Sequence, residues 1–141
     1  MELKEAKHKF IQSWGSLGSN WGVNKTMAQI HALFLISETP LSTEDVMKSL
    51  QISRGNTNIN IRTLLDWGLL YKEFKAGERR EFFTGEKDIW KVGQRVIKAR
   101  QRQELEPMLN VLLQLENVNS TKNNEQEVEA FTKQIKKIKD L

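Results

Sequence analysis

The chain of 141 residues contains no cysteine and only two prolines, Pro40 and Pro107. The missing cysteine excludes a disulfide framework, thiolate zinc sites and cysteine nucleophiles, and it fits a reducing, cytoplasmic location. Also missing is any apolar run near the roughly 18 residues that a membrane-crossing helix needs, so no membrane association is expected. The opening MELKEAKHKFIQSW mixes charges with apolar residues at helical spacing and does not read as a signal peptide. Histidine is scarce. His8 and His31 stand far apart, with no ligand-like neighbour three or four residues on, so no metal site is expected. The acids are scattered and form no Ser-His-Asp or paired-carboxylate pattern, so no catalytic residue, enzyme activity or cofactor is expected. The excess of 22 Lys and Arg over 18 Asp and Glu, a formal charge of +4, permits nucleic-acid binding without requiring it.

What is present is mostly helical periodicity. Leu3, Ala6, Phe10, Trp14, Leu17 and Trp21 recur at steps of three and four, the stripe of a long first helix. The glycines between Gly15 and Gly22 weaken its second half unless something packs closely there or the helix ends. Asn24 or Thr26 can cap a second helix, KTMAQIHALFLISE, apolar on more than one side. TPLS breaks the chain at Pro40, and Ser42 or Thr43 starts a short third helix with acids in its first turn. A fourth helix runs up to a stop at Gly68. LLYKEF and REFFTG then read as two strands joined by the basic turn KAGERR.

From Asp88 the pattern is helical again. Ile89, Trp90, Val92, Val96 and Ile97 form one face, and Pro107 interrupts the run as a kink or as a new start. NVNSTKNN is a polar linker, followed by an amphipathic helix with Val128, Phe131, Ile135 and Ile138. The order predicts a mainly α fold with a small β-hairpin wing. A winged helix-turn-helix occupies residues 24–87, and helical regions at 1–22 and 88–141 carry stripes with too little core of their own, which points to a homodimer.

The fourth helix, SRGNTNINIRTLLDWGLL, holds three asparagines although asparagine is a poor helix former. At about 100° per residue, Thr57, Ile61, Leu64, Leu65 and Gly68 fall on a core-facing side. Asn56, Ile59 and Thr63 point away, with Asn60 and Arg62 on the flanks, and Gly55 leaves room for another backbone. Asparagine pairs with adenine, arginine with guanine, and Ile59 can meet a thymine methyl, so this face suits the DNA major groove. Lys72, Lys75, Arg79 and Arg80 on the hairpin would lie beside the backbone or in the minor groove. The plainer alternative, asparagines facing water and a solvated turn, fits the helix and turn taken singly; their juxtaposition favours double-stranded DNA. A reading of another class is a winged-helix module for protein interaction without specific DNA binding, against which the basic wing tip argues.

These residues resemble the GbsR-type branch of the MarR family of bacterial transcriptional regulators, over about residues 1–115. The motifs are Ser53-Arg54-Gly55-Asn56, Asn60-x-Arg62, Asp66-Trp67-Gly68-Leu69, Gly77-x-Arg79-Arg80, the KDIW start of the next helix and the Arg-rich run ending at Glu106-Pro107. The resemblance implies a single MarR-like domain, acting as a homodimeric repressor on a palindromic operator through a recognition helix at 53–67 and a wing at 69–84. It places DNA contacts on Ser53, Arg54, Asn56, Thr57, Asn60 and Arg62, with Arg79 and Arg80 in the wing. Some members resembling this chain control glycine-betaine uptake or synthesis and respond to choline. Trp14, Trp21, Trp67 and Trp90 are accordingly candidates to line an effector pocket, since aromatic rings attract quaternary ammonium. The plainer reading puts each of them in the core or the dimer interface.

Overall fold

A few polar side chains and glycines set where each helix begins and ends. A computed structural model describes residues 1–141, with six helices and three short strands. In chain order these are α1 (Leu3–Asn20), α2 (Lys25–Ile36), β1 (Leu41–Ser42), α3 (Thr43–Leu50), α4 (Arg54–Asp66), β2 (Leu70–Glu73), β3 (Phe82–Gly85), α5 (Ile89–Leu115) and α6 (Glu125–Lys139). The expected mainly helical fold with a small wing is what forms. No helix is long and apolar enough to cross a membrane.

Of the two caps considered for α2, Asn24 is the one used: its side-chain oxygen accepts from the N–H groups of Thr26 at 2.8 Å and Met27 at 3.3 Å. At α3, Ser42 and Asp45 cap each other's backbone at 3.2 and 2.9 Å. Gln51, in left-handed geometry at φ 58°, ends α3 and opens the tight turn into α4. Ser53 caps α4 by accepting from the Asn56 N–H at 3.2 Å. At the other end of α4, Gly68 has φ +76°; its N–H bonds the Leu65 carbonyl at 3.0 Å, and that of Leu69 bonds Leu64 at 2.9 Å. This double closure needs the left-handed conformation that glycine adopts freely. It turns the chain straight into β2.

The sheet is larger than the hairpin expected. Its order is β1-β3-β2, all antiparallel, with Leu41 opposite Phe83 and Ser42 opposite Phe82. β2 pairs with β3 from Leu70 opposite Gly85 to Glu73 opposite Phe82. The added strand is only two residues long, too short for an alternating pattern to show in TPLS. Of the two readings of Pro107, a new helix start does not occur: α5 runs through it as one 27-residue helix.

Two compact units divide the chain, residues 1–96 and 97–141. The core of the first gathers Met27, Ile30 and Phe34 of α2, Val46 of α3, Ile61 and Leu64 of α4, Leu69 and Leu70, Phe83 of β3 and Val92 of α5. α1 packs on α2 through its glycines. A Cβ on Gly15 would stand 2.7 Å from Gln29 Cγ, and one on Gly18 only 2.6 Å from Ala28 Cβ. The glycines of α1 are thus explained by close packing. The buried line on α1 is Ile11 and Gly15, while Leu3, Leu17 and Trp21 of the expected stripe remain exposed. In the second unit, Ala99 and Leu112 of α5 and Ile135 of α6 are buried, and Lys139 pairs with Glu116 at 2.6 Å.

Lys87, just past β3, donates to the Phe34, Leu35 and Ser37 carbonyls, the last two at 3.2 and 2.8 Å. A cation on the last carbonyls of α2 satisfies acceptors that the helix leaves free and complements its dipole. Arg95 of α5 makes a comparable tie. It donates to the Gly68 carbonyl, to Tyr71 Oη at 2.6 Å and to Glu86 at 3.3 Å, while Tyr71 donates to Glu86 at 2.7 Å. The start of α5 is thereby joined to the Gly68 turn after α4, to β2 and to the residue that follows β3.

The Gly68 turn makes a direct prediction. Gly68→Ala should lower unfolding stability by about 1–2 kcal/mol, the cost of a left-handed residue with a Cβ. Its new Cβ would also press Arg95 Cδ at 3.2 Å. Urea denaturation checks this; an unchanged midpoint contradicts it.

Candidate nucleic-acid interface

α4 has two unlike sides. Thr57, Asn60, Ile61 and Leu64 are buried, whereas Ser53, Arg54, Gly55, Asn56, Ile59, Arg62 and Asp66 are exposed. Gly55, Ile59, Arg62 and Asp66 recur at i, i+4, i+7 and i+11, a stripe along the helix. Ile59 is 68% exposed, unusual for a β-branched apolar residue in a helix that otherwise seats its aliphatics well.

Two residues assigned to this face lie elsewhere. Thr57 is fully buried, as the wheel placed it, and donates to the Ser53 carbonyl at 2.7 Å. Asn60 is a correction to the wheel: it is only 4% exposed, and its amide donates to the carbonyl and the side-chain oxygen of Asn56, both at 2.9 Å. A buried amide needs such partners, and the residue one turn back supplies them. Asn60 therefore holds Asn56 in place from behind, leaving the Asn56 amide N–H₂ at the exposed side. Gly55 has nothing near its Cβ position, so no close approach within the chain explains it.

Arg54 is held by Glu44 of α3 at 2.9 Å, an exposed pair. Backbone hydrogen bonding and the Arg54 guanidinium together draw the Glu44 carboxyl below its usual range. Glu44 reads in the sequence as a first-turn helix acid; only the fold brings it to Arg54. Arg62 has no carboxylate partner.

In the wing, Lys72 pairs with Glu81 at 3.4 Å and Arg80 with Glu78 at 3.6 Å. Lys75 stands 4.2 Å from the Phe82 ring centroid, with the Arg80 guanidinium at 5.4 Å. Arg79 is exposed and makes no ion pair, so Lys75 and Arg79 are the wing cations without a carboxylate. Arg54, Asn56, Arg62, Lys75 and Arg79 thus combine exposure with unspent donors, the chemistry that phosphate and base edges accept.

The four tryptophans occupy four settings, and none of their rings stacks on another. Trp67 is half-buried against the core of the first unit. Trp21 and Trp90 are 60% and 81% exposed. The exposure of Trp90 departs from the apolar face read at the start of α5, of which Val92 is the buried member. Trp14 packs beside Phe10 and donates through Nε1 to His31 Nδ1 at 3.2 Å. Because an indole N–H only donates, His31 accepts at Nδ1 and carries its proton on Nε2, a buried atom with no partner. No group of three His, Asp or Glu residues is placed to hold a metal ion.

A family model described as MarR family matches residues 21–81, from the end of α1 to the wing loop. Among solved structures, one described as a transcriptional regulator is similar at a TM-score of 0.64 and 17% identity, covering 96% of this chain and 91% of that one. A mutant of S. aureus MepR bound to an oligodeoxyribonucleotide aligns at 0.48 and 18% identity, over 96% and 94% of the two chains. The S. aureus MepR–DNA complex gives 0.45 and 18%, over the same shares. No curated protein matches the chain. The MarR-family model thus covers the winged-helix segment, and the structure at a TM-score of 0.64 shares the fold.

Burial first, and the Lys87 charge second, hold the His31 imidazole down at about 4, against an ordinary 6.5. The unfolded chain therefore takes up this proton at higher pH than the folded one. The stability it confers is complete above pH 6.5 and is lost as pH falls toward 4. Between pH 7 and pH 5 the loss should be about 2 kcal/mol, read by urea unfolding. His31→Gln should remove most of that slope, and parallel pH profiles for the two proteins would contradict it.

Proposed function

We propose that this protein is a sequence-specific regulator of transcription that binds double-stranded DNA. The recognition helix is α4, entering the major groove, and the wing carries Lys75 and Arg79 alongside the backbone or into the minor groove. The observation that carries this reading is the division of α4: one side locked into the core, the other presenting Arg54, Asn56, Ile59 and Arg62 to solvent. The MarR-family match over residues 21–81 supports it. Ser53 and Asn60 act in this scheme through the helix, as its cap and as the support of Asn56. Thr57 serves the core side.

The regulator works as a homodimer of the GbsR-type branch, repressing from a palindromic operator. Exposed Leu3, Leu17 and Trp21 on α1 are the apolar stripe that supports a second copy. A two-fold dimer sets two recognition helices against two half-sites, hence the palindrome. An effector, if choline-like, would meet exposed Trp21 or Trp90; it must bind the DNA-competent and DNA-incompetent dimers unequally. Tryptophan fluorescence titrated with choline tests it, and no change at millimolar concentrations removes the motive.

Selection from a random duplex pool should enrich one palindromic sequence; equal binding to all sequences sinks the reading. On the selected duplex, Arg54→Ala should cost about 1–3 kcal/mol and relax discrimination at one base pair. Arg79→Ala should weaken binding to every sequence alike and reduce the log–log salt slope by about 0.9. Fluorescence anisotropy at several salt concentrations reads both. An Arg54→Ala protein with unchanged affinity and specificity contradicts the assignment.

A further inference from the structure

Phe74 sits at the base of the wing loop, one residue past Glu73, the last residue of β2 to pair. It is 96% exposed, while Phe82 and Phe83 on the returning strand are 4% and 3% exposed. The wing therefore has places to bury a phenylalanine and leaves this one bare. Full burial of a phenylalanine side chain contributes about 1.5–3 kcal/mol, so bare exposure forgoes that gain.

The surroundings indicate what covers the ring. Residues 75–81 are all exposed and comprise Lys75, Ala76, Gly77, Glu78, Arg79, Arg80 and Glu81. They offer no adjoining apolar patch for a protein partner to bury. They do offer cations without carboxylates, Lys75 and Arg79. Lys75 is steadied over the neighbouring Phe82 ring, and the loop is tightened by Gly77 at φ +80° and by a Glu78 N–H bond to the Lys75 carbonyl at 3.1 Å. A bare aromatic ring in the same loop as two cations without carboxylates matches a polyanion whose apolar interior is reached between its charges. That describes duplex DNA, with phosphates for the cations and a base step for the ring.

Resting on the DNA-binding reading above, we propose that Phe74 is an apolar wedge. The wing drives it from the minor groove into one base step, which it partly unstacks. The protein then discriminates by how easily that step opens as well as by base edges.

The test uses the full chain and the duplex it selects from a random pool, carrying 2-aminopurine at single adenines across the site. Unstacking brightens 2-aminopurine. The wild-type protein should brighten it at one step. Phe74→Ala should lose that signal and bind roughly tenfold more weakly, the effect of losing one base–aromatic contact. Its salt slope should be unchanged, since no phosphate contact is removed. Phe74→Leu, still a wedge, should keep most of both effects. Equal affinity of Phe74→Ala and wild type, with no brightening at any position, overturns the wedge and leaves DNA binding intact. Failure of the wild type to enrich any sequence overturns the DNA-binding reading and the wedge with it. A change in oligomeric mass on Phe74→Ala, with DNA affinity unaltered, assigns the ring to a protein contact and also overturns the wedge. Thermal melts of the variants should coincide with wild type, because the ring packs on nothing.

Discussion

The seating of α4 against α2 is the constraint on which the rest depends. Ile61 and Leu64 lie in one cluster with Ile30 and Phe34, all nearly inaccessible. A helix held so firmly along one side has no freedom to rotate, so its other side is fixed without any contact of its own. Asn60 sharpens this by burying its amide and fastening Asn56 one turn back. Of the three asparagines that weaken the helix in isolation, Asn60 thus supports, Asn56 is presented, and Asn58 is half-buried. The same cluster holds Phe83 of the wing, so α4 and the wing share a single foundation.

Around that foundation the charged residues act as fasteners. Lys87 closes the end of α2 from the sheet, and Arg95 fastens α5 to the Gly68 turn, Tyr71 and Glu86. The Tyr71 hydroxyl, first among the causes, keeps the Glu86 carboxyl below its usual range and hence ionised for Arg95. Arg95 thereby ties the start of α5 to the turn that ends α4.

Much of this was legible in the chain because it rests on local rules. Gly68 declares a stop, and Asn24 with Thr26 and Ser42 with Thr43 narrow the caps to two candidates each, while the α1 glycines leave close packing or a helix end open until α2 supplies Gln29 and Ala28. The wheel found Ile61 and Leu64 for the same reason. What escaped depends on distant partners. Asn60 lies on a flank at 100° per residue, and its burial requires the Asn56 acceptors. Lys87 and Arg95 look like solvated cations until the fold supplies carbonyls some fifty and twenty-seven residues away. β1 is too short to carry a pattern. Phe74 reads as an ordinary strand residue, since nothing in LLYKEF tells where pairing stops.

The central claim is that the exposed side of α4, with the wing tip, is the DNA-contacting surface. Backbone amide hydrogen exchange of the full chain, with and without its selected duplex, measures this directly. New protection should concentrate in residues 53–62 and 74–80, with little change along the α1–α2 contact. Protection confined to α1 or α6, with residues 53–62 exchanging as in the free protein, would contradict it.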